Sequence, residues 1–477
     1  MGDLDEGERD EIMKLPQEFV ERMQGLMEEE EYSGFIKALK AKVRIHSLRV
    51  NTLKISVEDF LVSFPYELES VPWCRQGFYL PKGLKASRHP YYYAGLYYLQ
   101  DPSAMLPGVV LAPASGERIL DLCAAPGGKS TQIAAAMGGK GLLVLNDINP
   151  KRTKALIKNV ENFGVRNAVI TNNDPGDLAD LFPAYFDRVL IDAPCSGEGM
   201  FRREARLTTA WRRNFHPTCC VPQQRALLDS AAQMVAPGGR LVYSTCTFSP
   251  EENEGQVSEF LKRHPDFYLL PLSGIQGISP GRGEWSGDRR LDQVGRIWPH
   301  LTRGEGQFAA VFEREDRRGV EKKTDPARSP FFAQGLNKQE IIPFMDFCAE
   351  VGIEIQEGRF YTSGEELLLL PEELPDLSGL NVIRCGLLLG KLRSGRFVPS
   401  QALALALNKE TGHRRLELPS DSWEVLKYLR GETLLLDERI LPEKGWILVT
   451  TDGFPLGWAK RLGGLIKNNY PAAWRML

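Results

Sequence analysis

Two cysteines stand in settings that suit chemistry better than packing. Cys195 follows a carboxylate by three residues in Asp192-Ala-Pro-Cys195-Ser-Gly-Glu-Gly, just after the apolar run Val189-Leu-Ile. Cys246 lies among hydroxyls in Tyr243-Ser-Thr-Cys246-Thr, at the end of a second apolar run. A free cysteine usually behaves as a small core residue, and Cys74, Cys348 and Cys385 are read that way. Two thiols at the ends of strands over one crevice are different, because a thiolate is a nucleophile. The third reactive feature is Asp121-Leu-Cys123-Ala124-Ala125-Pro126-Gly127-Gly128-Lys129-Ser130-Thr131, followed by an Ala-rich helical run. An apolar run, a Pro-Gly-Gly turn and a helix start form the unit that carries nucleotide-like ligands in α/β sheets. Adjacent glycines admit the ligand closely, and the helix offers unpaired N–H groups.

Three ligands compete for this loop. A phosphate loop of the Walker type fits Gly128-Lys129-Ser130, but Cys123 stands where its first glycine belongs. A dinucleotide fingerprint with G-x-G-x-x-G spacing is absent. An S-adenosylmethionine pocket needs the loop at the amino-acid end and a carboxylate after the next strand for the ribose hydroxyls. Gly141-Leu-Leu-Val-Leu-Asn146-Asp147 supplies both, with Asp147 about 20 residues past Gly127.

With that cofactor, the thiols have a definite use. Carbon 5 of a pyrimidine is too weak a nucleophile to take a methyl group from a sulfonium. A thiolate added at carbon 6 makes the ring an enamine, and a carboxyl group can supply or stabilise a proton at ring nitrogen 3. Methylation of an exocyclic amine needs no thiol. The residues therefore point to carbon 5 of cytosine or uracil.

The elements that must position these groups can be read in order. Ile12, Leu15, Phe19, Met23 and Leu26 recur at helical spacing, predicting two helices over 8–40. The alternation from Lys42 to Asn51 predicts a strand with a basic face. Tyr91, Tyr92, Tyr93, Tyr97 and Tyr98 suit either core packing or base stacking, and packing is favoured. From Ile119 to the helix after Pro250, strands alternate with helices, which predicts a parallel sheet covered on both faces. Gly127, Asp147, Asp174, Asp192 and Cys246 all fall just after strands of this series, where such sheets bind ligands. The expected divisions are an N-terminal α+β RNA-binding unit over 1–100, the core over 101–315, a charged linker over 316–330, a middle α/β segment over 331–398 and a C-terminal unit over 399–477.

Composition sets wide bounds. The chain has 477 residues, 43% hydrophobic and 25% charged, with a net charge of −3, which fits a soluble multidomain protein. No apolar run reaches the ~20 residues of a membrane span, the N-terminus is acidic, and eight cysteines lack metal or disulfide spacing. A cytoplasmic monomer without a metal is expected. Basic residues cluster at Lys37, Lys40, Lys42, Arg44 and Arg49, and again at Arg202, Arg203, Arg206, Arg212 and Arg213, where they would suit phosphates. Lys460, Arg461, Lys467 and Arg475 beside Tyr470 and Trp474 have the composition of a single-stranded RNA surface.

Three motifs in this order resemble the NOL1/NOP2/Sun family of RNA cytosine carbon-5 methyltransferases. They are Asp121-Leu-Cys-Ala-Ala-Pro-Gly-Gly-Lys129, Asp192-Ala-Pro-Cys195-Ser-Gly-Glu-Gly and Ser244-Thr-Cys246-Thr, and Gln100-Asp-Pro-Ser-Ala-Met is similar to the family's entry motif. The resemblance covers about residues 40–315 and implies a Rossmann-like class I S-adenosylmethionine-dependent core. It implies that Cys246 is the nucleophile, that Cys195 assists release and that Asp192 acts on the target base. It places the cofactor against Cys123, Ala124, Ala125, Pro126, Gly127, Gly128, Lys129, Asp147, Asp174 and Asp192, with Asp177 able to share the role of Asp174. The long C-terminal extension is similar to the bacterial ribosomal RNA branch, which implies a PUA-like RNA-binding unit over 399–477 and a cytosine of 16S ribosomal RNA, within the small subunit. Transfer RNA enzymes share the core. Two other classes stay open at this stage, a phosphate-loop NTPase and a non-catalytic RNA-binding assembly factor.

Overall fold

The computed structural model describes residues 14–41, 45–204, 206–214 (backbone alone for 212–214), 216–316, 336, 339–354, 358–435, 443–463 and 465–476. Ile12, Lys42, Arg44, the side chains of Arg212 and Arg213, and the linker beyond Asp316 up to 330 lie outside those residues.

Helices α1 (Gln17–Leu26) and α2 (Glu29–Lys40) turn Phe19, Met23, Phe35 and Leu39 inward. These side chains join Phe201, Trp211, Phe248 and Trp298 in one cluster, so the N-terminal helices brace the segments that follow both reactive cysteines. Acidic residues begin α2 and Lys37 and Lys40 end it, the arrangement that suits a helix dipole. Next come β1 (Ser47–Val50), α3 (Val57–Ser63), β2 (Glu69–Val71), β3 (Cys74–Tyr79), α4 (Pro90–Tyr93) and β4 (Tyr97–Leu99). The four strands form an antiparallel sheet in the order β2-β3-β1-β4. All four residues of β1 are buried, so the predicted basic face does not exist here. Both faces of β1 are covered, and Arg49 meets the start of α6 rather than solvent.

The core follows as α5 (Leu106–Leu111), β5 (Arg118–Asp121), α6 (Gly128–Met137), β6 (Leu142–Asn146), α7 (Pro150–Asn162), β7 (Ala168–Thr171), α8 (Pro175–Leu181), β8 (Phe186–Asp192), α9 (Arg206–Asn214), α10 (Pro217–Met234), β9 (Val235–Thr245), α11 (Glu254–Arg263), β10 (Phe267–Leu270), β11 (Ser279–Pro280), β12 (Gly295–Ile297) and β13 (Gln307–Arg314). Strands β7-β6-β5-β8-β9 are parallel and β13 runs antiparallel to β9. The chain winds outward in both directions from β5, so the crevice opens at the carboxyl ends of β5 and β8. Apolar strands such as Leu142–Asn146 are buried along their whole length because helices cover both faces.

The C-terminal half is tied into the rest. Helices α12 (Ile342–Val351) and α13 (Gln401–Leu405) accompany β14 (Phe360–Ser363), β15 (Glu366–Leu369), β17 (Leu387–Arg393) and β18 (Arg396–Pro399), a four-stranded antiparallel sheet. Between β15 and β17, strand β16 (Val382–Cys385) leaves this sheet and pairs antiparallel with β7 of the core. The last unit has β19 (Arg415–Glu417), α14 (Trp423–Leu429), β20 (Gly445–Thr451), β21 (Phe454–Leu462) and β22 (Leu465–Asn468) in one sheet. Its Tyr428, Phe454 and Tyr470 share a core with Phe60, Tyr91 and Tyr97 of the N-terminal unit, and Tyr91 Oη donates to Asp452 at 2.9 Å. Most of the tyrosine cluster therefore packs. The C-terminal aromatics depart from the predicted stacking surface: Tyr470 is buried, and Trp474 lies under Lys158 of α7, 5.3 Å from its ring centroid. Burial of these rings joins the two units. Among the described residues no helix is long and apolar enough to cross a membrane, and no cluster of His, Cys, Asp and Glu is arranged to hold a metal.

Candidate active site

The glycine loop is fixed by its neighbours. Ala124 N donates to Asn146 O at 2.8 Å and Ala125 N to Asp147 Oδ2 at 3.1 Å, which ties the loop to the end of β6. Gly127 has φ 110°, and a Cβ there would lie 3.2 Å from Leu156, so this turn requires glycine. Asp121 accepts from Ser130 Oγ at 2.7 Å, and burial raises its carboxyl to about 7. Its other oxygen, Oδ1, is buried without a hydrogen-bond partner. Asp147 is buried and also accepts Asn149 N at 2.9 Å, with Arg152 3.4 Å away. Asp174 is exposed at the end of β7 and caps α8 through Gly176 N at 2.9 Å. The loop before it is anchored from the C-terminal half: Asn172 N donates to Asn381 O at 3.0 Å, and Asn381 N to Asn173 Oδ1 at 3.1 Å.

These residues suit S-adenosylmethionine. An unpaired buried carboxylate oxygen beside a Cβ-free turn suits a ligand ammonium, and carboxylates at the ends of successive strands suit ribose and adenine. When bound, the cofactor supplies an electrophilic methyl group.

Beyond the loop, Lys129 Nζ donates to Asp192 Oδ2 at 2.6 Å. Burial lowers the lysine's pKa, but Asp192 outweighs it and the net shift is upward, so the ammonium persists. Ser244 Oγ donates to the other oxygen at 2.9 Å, with Gln307 Nε2 at 3.5 Å. Strands β8 and β9 are paired in register from Asp192 to Ser244, which brings the segments after them side by side. The sulfurs of Cys195 and Cys246 lie 3.5 Å apart, and both residues are partly buried. The contact with Cys246, followed by burial, pushes the Cys195 thiol well up, so it stays neutral. Gly199 N donates to Cys246 O at 2.8 Å, and a Cβ at Gly199 would meet that oxygen at 2.8 Å. Glycine is needed there by close approach. Gly127, Asp147, Asp174, Asp192 and Cys246 thus all stand at the carboxyl ends of the parallel strands.

Two basic residues assigned to phosphates are structural. Arg49 is buried and donates to Gln100 Oε1 at 2.9 Å, Gly128 O at 2.7 Å and Thr131 Oγ1 at 2.9 Å, linking β1 to the start of α6. Burial lowers its pKa to about 10, still charged at neutral pH. Arg202 is held by Glu305 at 2.9 Å and Gly304 O at 2.8 Å. Arg203 and Arg206, like Lys37 and Lys40, are exposed. Arg49→Met is accordingly expected to lower the thermal midpoint and weaken cofactor binding, because three acceptors lose their donor. It should leave the slope of log K for RNA against log salt unchanged, whereas loss of a phosphate contact would reduce that slope by about 1. Sequence reasoning also missed Glu198 and Glu252, buried carboxylates close after Cys195 and Cys246. Their one signal was proximity to the thiols in the chain.

Four family models match successive parts of the chain. They are the N-terminal domain of 16S rRNA methyltransferase RsmF over residues 15–102, 16S rRNA methyltransferase RsmB/F over 108–313, the RsmF rRNA methyltransferase first C-terminal domain over 346–407 and the methyltransferase RsmF PUA domain over 415–476. The ribosomal RNA small subunit methyltransferase F of Erwinia tasmaniensis is 34% identical over 481 residues, covering 96% of each chain. That of Shewanella piezotolerans is 32% identical over 440 residues, covering 89% of this chain and 90% of its own. Among solved structures, a methyltransferase homolog protein from Pyrococcus horikoshii is 30% identical with a TM-score of 0.55, covering 63% of this chain and 96% of that one. NSun6 from Pyrococcus horikoshii, solved with SFG, is 25% identical with a TM-score of 0.55, covering 64% and 99%. With its S-adenosylmethionine-dependent class I core, its N-terminal domain and its PUA domain, the chain belongs to the ribosomal RNA small subunit methyltransferase F family.

Proposed function

We propose that this protein transfers a methyl group from S-adenosylmethionine to carbon 5 of a cytosine in 16S ribosomal RNA, through a covalent bond between Cys246 and carbon 6 of the base. The observation that carries the reading is the pair of thiols 3.5 Å apart beside the Lys129–Asp192 ion pair at the carboxyl ends of β8 and β9. Cys123–Lys129 would hold the cofactor, with Asp121 serving its amino-acid end, Asp147 the ribose and Asp174 the adenine side. Asp192, oriented by Lys129 and Ser244, faces the 4-amino group and ring nitrogen 3 of the target and stabilises a proton there. The Cys246 sulfur forms a bond to carbon 6, and the electron pair released into the ring makes carbon 5 nucleophilic. After methylation the carbon 5 proton leaves, its electrons restore the ring, and the bond to Cys246 breaks. The neutral Cys195 thiol donates a hydrogen bond to the departing Cys246 thiolate, and the one net proton of the reaction passes to solvent.

The names of the relatives and the PUA domain support ribosomal RNA as the substrate. Bisulfite sequencing of ribosomal and transfer RNA, from cells with and without the protein, is expected to show one or a few 16S cytosines that lose protection when it is absent. Loss confined to a transfer RNA would overturn the assignment to 16S RNA. No lost site in either RNA would overturn cytosine methylation altogether.

A further inference from the structure

The loops that carry the two thiols are fastened crosswise, each to a glutamate of the other. Glu198, on the Cys195 loop, accepts Thr247 Oγ1 at 2.9 Å and Phe248 N at 3.0 Å from the Cys246 loop, and Trp211 Nε1 at 3.2 Å from α9. Glu252, beyond Cys246, accepts Ser196 N at 2.9 Å from the Cys195 loop and Gln224 Nε2 at 2.8 Å from α10. Its Oε1 lies 2.5 Å from Ser196 Oγ, and Ser196 Oγ lies 2.6 Å from Thr247 Oγ1. Glu198, Glu252, Ser196 and Thr247 are all buried.

Counting hydrogens along this path gives its protonation state. From Glu198 Oε2 through Thr247 and Ser196 to Glu252 Oε1 there are three oxygen–oxygen contacts, at 2.9, 2.6 and 2.5 Å. A buried contact of that length without a hydrogen sets lone pair against lone pair, so each requires one. The two hydroxyls supply two hydrogens. The third must come from a carboxyl. Glu198 meets an N–H on each of its oxygens, Phe248 on Oε2 and Trp211 on Oε1. Oε1 of Glu252 meets the Ser196 hydroxyl, while the N–H donors of Ser196 and Gln224 both fall on Oε2. We propose that Glu252 is protonated on Oε1 and that this proton locks the Cys195 loop to the Cys246 loop, making Glu252 and Glu198 positioning residues for the thiol pair. The proposal rests on the reading of Cys246 as nucleophile.

The surroundings favour one proton in the pair. Burial, ahead of the charge of Glu252, raises Glu198 to about 7, and burial raises Glu252. Cys220 and Tyr243 facing Glu252 are pushed up by burial and Cys195 by its contact with Cys246, so all three stay neutral. Arg22 of α1 pulls Glu198 down, but its guanidinium is bound to Glu251 at 2.5 Å. The two carboxyls titrate as a pair. The folded protein holds this proton above the pH at which an unfolded carboxyl releases it, so its stabilisation is complete at low pH and is lost as pH rises through the raised titration range of the pair.

The test uses the full-length protein. In Glu252→Gln the amide carbonyl can accept Ser196 N and Gln224 while its NH2 faces Ser196 Oγ, which copies the protonated acid without its titration. In Glu198→Gln the NH2 must oppose the N–H of Phe248 or Trp211. Glu252→Ala and Glu198→Gln are expected to lower kcat by about tenfold or more at neutral pH, as a misplaced reacting group does, with unchanged affinity for S-adenosylhomocysteine. Glu252→Gln is expected to rescue kcat and to shrink the alkaline fall in thermal midpoint expected of the unsubstituted protein, leaving the part that the raised Asp121 carboxyl contributes. A Glu252→Gln protein whose alkaline fall in thermal midpoint equals that of the unsubstituted protein, or which is as impaired as Glu252→Ala, would overturn the proposal. Thermal midpoint needs no turnover, so it reports on the lock even where Cys246 proves not to be the nucleophile. That separate failure would show as activity retained in Cys246→Ala.

Discussion

Replacing Cys246 by alanine is expected to reduce methyl transfer by about ten-thousand-fold or more, because carbon 5 of an unactivated cytosine cannot attack the methyl donor. The loss should fall on the chemical step. The Cys246 sulfur meets that of Cys195, and Lys129, Asp147 and Asp121 keep their own hydrogen-bond partners without it. Calorimetric titration with S-adenosylhomocysteine should therefore give an affinity within about twofold of the unsubstituted protein, a difference well below the 1.4 kcal/mol of a tenfold change. Single-turnover assays with labelled cofactor and excess RNA isolate the step. Residual activity within about tenfold would remove Cys246 from the reaction, since an activated nucleophile is worth far more than that.

Cys195→Ala should do the opposite to the covalent intermediate and preserve it. The Cys195 thiol is neutral and its sulfur is 3.5 Å from that of Cys246, so it is placed to stabilise the sulfur that must leave carbon 6. Without it, addition and methylation proceed while elimination slows, and the protein accumulates on RNA. A band of reduced mobility on a denaturing gel, resistant to boiling and sensitive to ribonuclease, is expected in Cys195→Ala and absent in the Cys195→Ala, Cys246→Ala double variant. Rapid turnover by Cys195→Ala with no such band would assign release to another group.

The sequence was legible where a physical signal was local. The glycine turn, the carboxylates after successive strands and the two thiols all sit at transitions from an apolar run to a polar loop. In a parallel sheet those transitions gather at one edge, so order along the chain was enough to place them together. Partnerships were not legible. Arg49 reads as a surface cation until the start of α6 is seen to cover its face of β1, where Gly128 and Thr131 accept from its guanidinium. Tyr470 and Trp474 have the composition of an RNA surface, yet they pack toward the N-terminal unit and α7, a choice made by tertiary contact. Glu198 and Glu252 look like solvated acids, and their burial depends on α9, α10 and the facing loop, none of which has a sequence period that reports it.

Strand β16 ties the C-terminal half to the loop proposed to take the cofactor's adenine side. It covers the outer edge of β7, and Asn381 just before it holds the loop that presents Asp174. The methylating core is therefore not a cassette that can be cut out after β13. A truncation there would bare a sheet edge prone to self-association and untether the loop that leads to Asp174. Chimeras that exchange RNA-recognition modules between relatives need their junction downstream of Cys385, so that the tether travels with the core it completes.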